Sequence, residues 1–229
     1  MLNMIKLDWI GMKCYQKRFI IIPCTTLLYG FFFVPIVIPL MAFMMFSFSV
    51  NPFAVEEKGK LDNLYLTLPV TRKAIVSARY GLSLLMQLVG FTAGTVITIL
   101  YSRLLYGRTA FGIAHSFHAD CSAIFLIICG SLLLYAVMNL CSFPLLFKIG
   151  YARGRGLGFY VPIIGFAIVV SAVYMFGYFN DAFQQFLLSA VEWAFANTVW
   201  TAVCMLIGAA LLLALSYMIS QKVYARREF

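Results

Sequence analysis

Four stretches of this chain, residues 75–101, 121–146, 157–179 and 198–220, each run for more than twenty residues with no charged side chain except Arg79 near the start of the first. A helix rises about 1.5 Å per residue and the bilayer hydrocarbon is about 30 Å thick, so roughly 20 apolar residues cross it. Lipid offers the backbone no hydrogen bonds, and a helix satisfies its own. An all-α, polytopic membrane protein follows. The polar segments offer no alternative: the longest, residues 51–79, is too short to bury a core of its own. With 63% hydrophobic and 11% charged residues, residues 1–229 read as one transmembrane domain solvated by the lipid bilayer.

The stretch from Phe19 to Val55 is long for one span and short for two, and charge settles its reading. Lys6, Lys13, Lys17 and Arg18 precede it, and Lys58, Lys60, Arg72, Lys73 and Arg79 follow it. Lys and Arg favour the cytosolic side, so both flanks belong there and the stretch crosses twice. Its natural break is the Phe33–Pro35 region, where Pro35 and Pro39 end one short helix and start the next. Six spans result, with both termini cytosolic, and all but Arg103 and Arg108 of the 17 Lys and Arg residues fall on the cytosolic side. The net charge of +9 therefore reflects topology; it punctuates apolar runs and forms no continuous patch for nucleic acid. The basic start resembles a signal peptide, but Asp8 interrupts it and no cleavage pattern follows the apolar run, so it reads as retained. The six cysteines show no C-x-x-C pair and read as apolar packing residues.

Shorter amphipathic segments flank the spans. In residues 1–18, Leu2, Ile5, Trp9 and Met12 recur at helical spacing opposite Lys6, Lys13 and Lys17, the pattern of an interfacial helix. In residues 180–197, Phe183, Leu187, Ala190 and Ala194 share one helical face, predicting a short helix at the outer leaflet. In the cytosolic loop 56–73, Leu61, Leu64, Tyr65 and Leu68 form an apolar stripe on a short helix that Pro69 terminates, and Thr71 caps the next helix. Such a stripe, held in the cytosol between two spans, is placed to dock on a partner, its own bundle or the headgroups. Gly90 and Gly94 form a G-x-x-x-G that permits close helix approach, within the subunit or to a partner. His115, His118 and Asp120 lie together outside, either as a metal group or as ordinary polar surface. Glu56-Glu57 is similar to the paired glutamates of membrane-embedded proteases, but the His pair lies on the other side of the membrane. No phosphate-loop pattern G-x-x-x-x-G-K-[ST] occurs, so any ATP-driven work needs another polypeptide.

The loop residues carry a family likeness. Glu56, Glu57, Lys58, then Leu68, Pro69, Val70, Thr71, Arg72 and Lys73, then Tyr80 resemble the signature of short bacterial membrane subunits of the ABC type 2 exporters. A later stretch, with Pro144, Phe147, Lys148, Gly150, Gly154 and Arg155, is similar to that family's second cytosolic loop, here residues 147–156. The resemblance implies a six-helix permease in the bacterial cell membrane. It implies pairing with a second permease chain, identical or different, and with two cytosolic ABC ATPase subunits that bind ATP and Mg, so the chain itself holds no cofactor and is no enzyme. It makes the helix in loop 56–73 the coupling helix, with Leu61, Leu64, Tyr65, Leu68, Pro69, Arg72 and Lys73 at the ATPase interface and Lys148, Arg153 and Arg155 on the second loop. The likeness is to subunits that export amphipathic peptides, the phenol-soluble-modulin exporters among them. The alternatives are a membrane scaffold or regulator that transports nothing, and a membrane-embedded enzyme.

Overall fold

The computed structural model describes residues 9–10, 24–28, 30, 34–59, 71–105, 109–110, 113–114 and 120–226. Among them, five helices are long and apolar enough to cross a membrane. A 3-10 turn at Val34–Ile36 leads into α1 (Val37–Ser49), and α2 (Asn51–Gly59) continues it after a break at Val50. Pro52, with no N–H to give, sits at that break. Together they form the span Val34–Glu57. Then come α3 (Arg72–Leu105), α4 (Cys121–Ile149), α5 (Tyr151–Phe179), α6 (Asp181–Ala196) and α7 (Thr198–Ala225). A two-residue antiparallel ladder, Thr109–Ala110 with Ile113–Ala114, lies between α3 and α4. The expected break at Phe33–Pro35 coincides with the start of the Val34 span; the first of the six expected spans lies mostly outside the described residues, as does the 1–18 segment apart from the exposed Trp9 and Ile10.

α1, α3, α4 and α7 make the bundle, with α4 against α7 and α1 against α3 as its most extensive contacts. Two apolar devices help to hold it. The first is the G-x-x-x-G of α3, which packs within the chain. A Cβ on Gly90 would lie 2.9 Å from Met45 Cγ, and one on Gly94 would lie 3.2 Å from the Ile38 Cα, so only glycine admits α1 this close. The second is an aromatic cluster near the basic end. Phe53, Tyr80, Phe143, Phe147 and Tyr224 are all buried, with Phe53–Phe147 and Tyr80–Phe143 centroids 4.9 Å apart and Phe147–Tyr224 5.2 Å. Edge and tilted contacts of this kind contribute about 0.5–1.5 kcal/mol each beyond their area.

The loop expected over residues 147–156 is helical on both sides of a single residue, Gly150. Its φ of +85° and ψ of 177° lie in a region essentially reserved for glycine. The basic residues sit in helix ends instead of a loop. From that turn α5 runs back along α4 on a glycine seam: a Cβ on Gly154 would meet Leu146 Cδ2 at 3.3 Å, and one on Gly158 would meet the Ser142 Cα at 3.2 Å. The Ser142 hydroxyl donates to the Gly158 carbonyl at 2.6 Å. Past the seam α5 has little protein around it and exposes most of its residues.

The outer segment is the helix α6, as its periodicity predicts. Asn180 caps it, its side-chain oxygen accepting from Ala182 N–H at 3.1 Å and Phe183 N–H at 3.3 Å. Phe183, Leu187 and Ala194 are half-buried, whereas Ala190 of the same predicted face is exposed.

Candidate functional site

The basic ends of the spans converge where α2 stops, α3 begins, α4 turns into α5 and α7 ends. Leu61, Leu64, Tyr65, Leu68 and Pro69, the stripe expected to dock on a partner, lie outside the described residues. What the structure describes is the frame on which that segment is mounted. α2 enters it and α3 leaves it.

α3 opens as its sequence predicts. The Thr71 hydroxyl accepts from the Ala74 N–H at 3.3 Å, capping the first turn. Arg72 Nη1 donates to the carbonyl of Ala225, the last residue of α7, at 2.8 Å. That places a cation at the negative end of a helix and ties α3 to α7. Lys73 is exposed on the same turn.

Sequence reasoning placed Arg79 among cytosolic loop charges, and here the structure corrects it. Arg79 lies two turns into α3 with 1% of its side chain exposed, and its Nη2 donates to Glu56 Oε2 at 2.7 Å. The guanidinium stands over the Phe53 ring, 4.5 Å from its centroid. A buried cation in a membrane span demands a partner, and an acid at the end of the preceding span supplies it. One sequence signal was available: Arg79 is the lone charge in its apolar run.

Glu57, the next residue, faces the other way. Its Oε2 accepts the backbone N–H of Ala152 at 2.8 Å and lies 3.4 Å from where a Cβ on Gly150 would be. A carboxylate at a helix N-terminus meets unpaired N–H groups and a partial positive charge. Glu57 therefore does for α5 what an N-cap residue would do, from a different helix. The adjacent glutamates thus hold α2 to α3 and to α5 respectively, which leaves neither free for the acid–base role of a protease pair.

Lys148 is exposed in the last turn of α4, and Arg153 is exposed in the first turn of α5. Arg155 follows in the same helix. Glu57, Gly150 and Tyr151 line a small polar cavity of about 180 Å³ with Phe53, Glu56, Leu146 and Ile149.

Above this frame runs a polar chain that the apolar periodicity did not reveal. The Ser216 hydroxyl donates to the Asn139 carbonyl at 3.0 Å, so the Tyr80 hydroxyl donates to Ser216 Oγ at 2.6 Å and accepts from Ser220 at 2.9 Å. Ser77 bonds the Tyr217 hydroxyl at 2.8 Å, and Ser83 bonds that of Tyr135. α3, α4 and α7 are thereby cross-linked through hydroxyls, at about 0.6–1.7 kcal/mol per interhelical bond.

His115 and His118 lie outside the described residues, and Asp120 precedes α4. Among the described residues no group of three His, Cys, Asp or Glu side chains is placed to hold a metal ion.

A family model described as an ABC-2 family transporter protein matches residues 3–225. No curated protein and no solved structure matches the chain significantly.

Proposed function

The chain belongs to the ABC-2 family of transporter proteins, and from that premise we propose that it is the membrane subunit of an exporter driven by a separate cytosolic ATPase. The observation that carries this reading is the frame around segment 60–70. Glu56 fixes α2 to α3 through Arg79, Glu57 fixes α2 to α5 through Ala152, and Arg72 fixes α3 to α7. A partner seated on the Leu61, Leu64, Tyr65 and Leu68 stripe would push on the four spans so joined, which is what coupling requires. The basic ends face the cytosol in this reading, since Lys and Arg gather there, and the membrane is that of a bacterial cell. ATP and Mg belong to the partner, as no phosphate loop occurs in this chain.

Two permease chains, identical or different, and two ATPase subunits make up the working unit. Its cargo is an amphipathic or hydrophobic peptide. Support for that class comes from the resemblance of the loop residues and from the outward apolar surfaces of α5 and α7 at bilayer depth, beside which a membrane-absorbed amphiphile travels without entering water.

The test is purification from native membranes in mild detergent, with mass spectrometry of what accompanies the chain. A phosphate-loop ATPase in near-equal amount, lost on Leu68→Asp while the chain's abundance in the membrane is unchanged, is the expected result. Recovery of the chain without any ATPase, even after crosslinking, would sink the proposal.

A further inference from the structure

Where α5 leaves α4 a wedge opens. The glycine seam at 150, 154 and 158 continues at the same four-residue spacing to Pro162, and there the contact stops. A cavity of about 470 Å³ lies beyond, walled by Pro39, Ala42, Phe43 and Phe46 of α1, by one face of α4 between Ser131 and Met138, and by one face of α5 between Pro162 and Val169. Its volume falls within the roughly 300–1,000 Å³ typical of ligand pockets.

The walls offer almost nothing for hydrogen bonding. Ser131 is the one hydroxyl on the α4 wall besides Tyr135; it donates to the Ile127 carbonyl at 2.6 Å, and the Tyr135 hydroxyl bonds Ser83. An extended peptide here would bury its N–H and C=O groups unpaired, at several kcal/mol each. A helix pairs its own backbone but is about 10–12 Å across, so a single turn occupies roughly 400–600 Å³ and would take the whole space. A hydrocarbon chain carries neither cost.

Depth identifies its source. The α4 and α5 walls both lie 12–19 residues from Gly150, or about 18–28 Å along the helices. Each helix has 29 residues, about 43 Å, and overhangs the 30 Å hydrocarbon by roughly 6 Å at each end. The wedge is thus centred near the bilayer midplane, where the methyl ends of acyl chains lie and headgroups do not reach. Thr26, Leu27 and Gly30, which precede α1, sit elsewhere: Thr26 bonds the sulfur of Met41 at 3.2 Å, and Tyr101 of α3 donates to the Leu27 carbonyl at 2.9 Å, on the α3 side of α1.

We propose that the wedge between α1, α4 and α5 is a binding site for the terminal segment of one bilayer lipid's acyl chain. The chain stands where helix packing is missing and sets how far α5 leans from α1. The site does not depend on the identity of the exported cargo or on the ATPase.

The experiment reconstitutes the full chain in nanodiscs of phosphatidylcholine and phosphatidylglycerol. These are doped with phosphatidylglycerol bearing a photoactivated diazirine either near the methyl end of one acyl chain or next to its carbonyl. After irradiation, adducts are mapped by mass spectrometry. The methyl-end probe should enrich adducts on Phe43, Leu133 and Met138 over those on the outward-facing Ile168, Leu211 and Leu215, and the carbonyl-side probe should not. Gly165→Leu fills the wedge from a position where an added Cβ meets nothing within 4 Å, and it should bring the wedge adducts down to the outward-facing level. Ala42→Leu should do so from the opposite wall. The wild-type contrast decides even where a variant fails to fold. Equal labelling of wedge and outward faces by the methyl-end probe overturns the proposal. So does protection of the wedge from both probes, which would mean that residues 19–33 or a second copy of the chain fills it.

Discussion

Replacing Glu56 by Gln removes the carboxylate from Arg79 while preserving size. The pair is short, at 2.7 Å, and the two side chains are 1% and 10% exposed, so solvent screens it little. Breaking a buried pair by deleting one partner costs about 3–5 kcal/mol, because the remaining charge stays desolvated. Two features offset part of this. The Phe53 face 4.5 Å from the guanidinium retains about 0.5–2 kcal/mol, and the Gln amide oxygen still accepts a neutral hydrogen bond. The expected loss for Glu56→Gln is therefore about 2–4 kcal/mol. Adding Arg79→Met removes the stranded charge and keeps the aliphatic stem, so the double variant should recover to within about 1 kcal/mol of the parent. Equilibrium unfolding in mixed micelles, titrated with a denaturing detergent, measures all four corners of the cycle. Arg79→Met alone strands the Glu56 carboxylate at a similar cost of about 2–4 kcal/mol, so a coupling energy of at least about 3 kcal/mol is expected. A loss below about 1 kcal/mol for Glu56→Gln, or additivity of the two changes, would show that the pair is solvated by water or headgroups and does not lock α2 to α3.

Gly94→Leu should be more severe than most core changes, because even its Cβ would stand 3.2 Å from the Ile38 Cα and backbone cannot yield like a flexible side chain; the membrane abundance of the variant should fall with a stability loss of about 1–3 kcal/mol or more. Gly150→Ala forces a residue with a Cβ into the glycine-only region, costing about 1–3 kcal/mol, and hydrogen exchange should show faster opening at residues 151–155 than in α7. Tyr80→Phe breaks the hydroxyl chain between α3 and α7 without emptying the aromatic cluster, and a loss of about 0.6–1.7 kcal/mol in the same unfolding assay is expected. Glu57→Ala takes the cap from α5 at about 0.5–2 kcal/mol, with exchange protection lost at Ala152 before anywhere in α4.

The five described spans were legible because lipid imposes one rule, an apolar run of sufficient length, and sequence reports such runs directly. The amphipathic α6 and the Thr71 cap were legible for a similar reason: both depend on neighbours within a few residues. Gly90 and Gly94 announced a close contact but not its partner, since α1 and any other apolar helix would satisfy the same motif. The segment from Lys148 to Arg155 read as a loop because its charges and glycines are those of loops. Its glycines instead serve one turn at Gly150 and a helix seam at Gly154 and Gly158, which requires knowing that α4 lies alongside. Glu56 and Arg79 are 23 positions apart and pair only once two spans are packed, so no local pattern joins them. The wedge is further still from the sequence, being set by where two helices part.

The contacts divide the molecule into a locked part and a hung part. α1 with its continuation α2, and α3, α4 and α7, share the aromatic cluster, the ion pair, the hydroxyl chain and the α1–α3 glycine contact, so shifting any one of them disturbs several buried groups. α5 touches this set through Tyr151, at its first turn, which packs against the aromatic cluster. It is held at one end by the glycine seam and by a carboxylate from α2, and beyond Gly158 most of its residues are exposed. Local opening follows the density of buried contacts, so α5 is the span that yields first, and it yields about its Gly150 end. Glu57 acts at that end. A displacement of α2 there reaches α5 at its base, where a small rotation becomes a large movement near Phe179. The same displacement would load α3 through Glu56, where the packed bundle resists it, so α5 is expected to take up the larger share of any such motion.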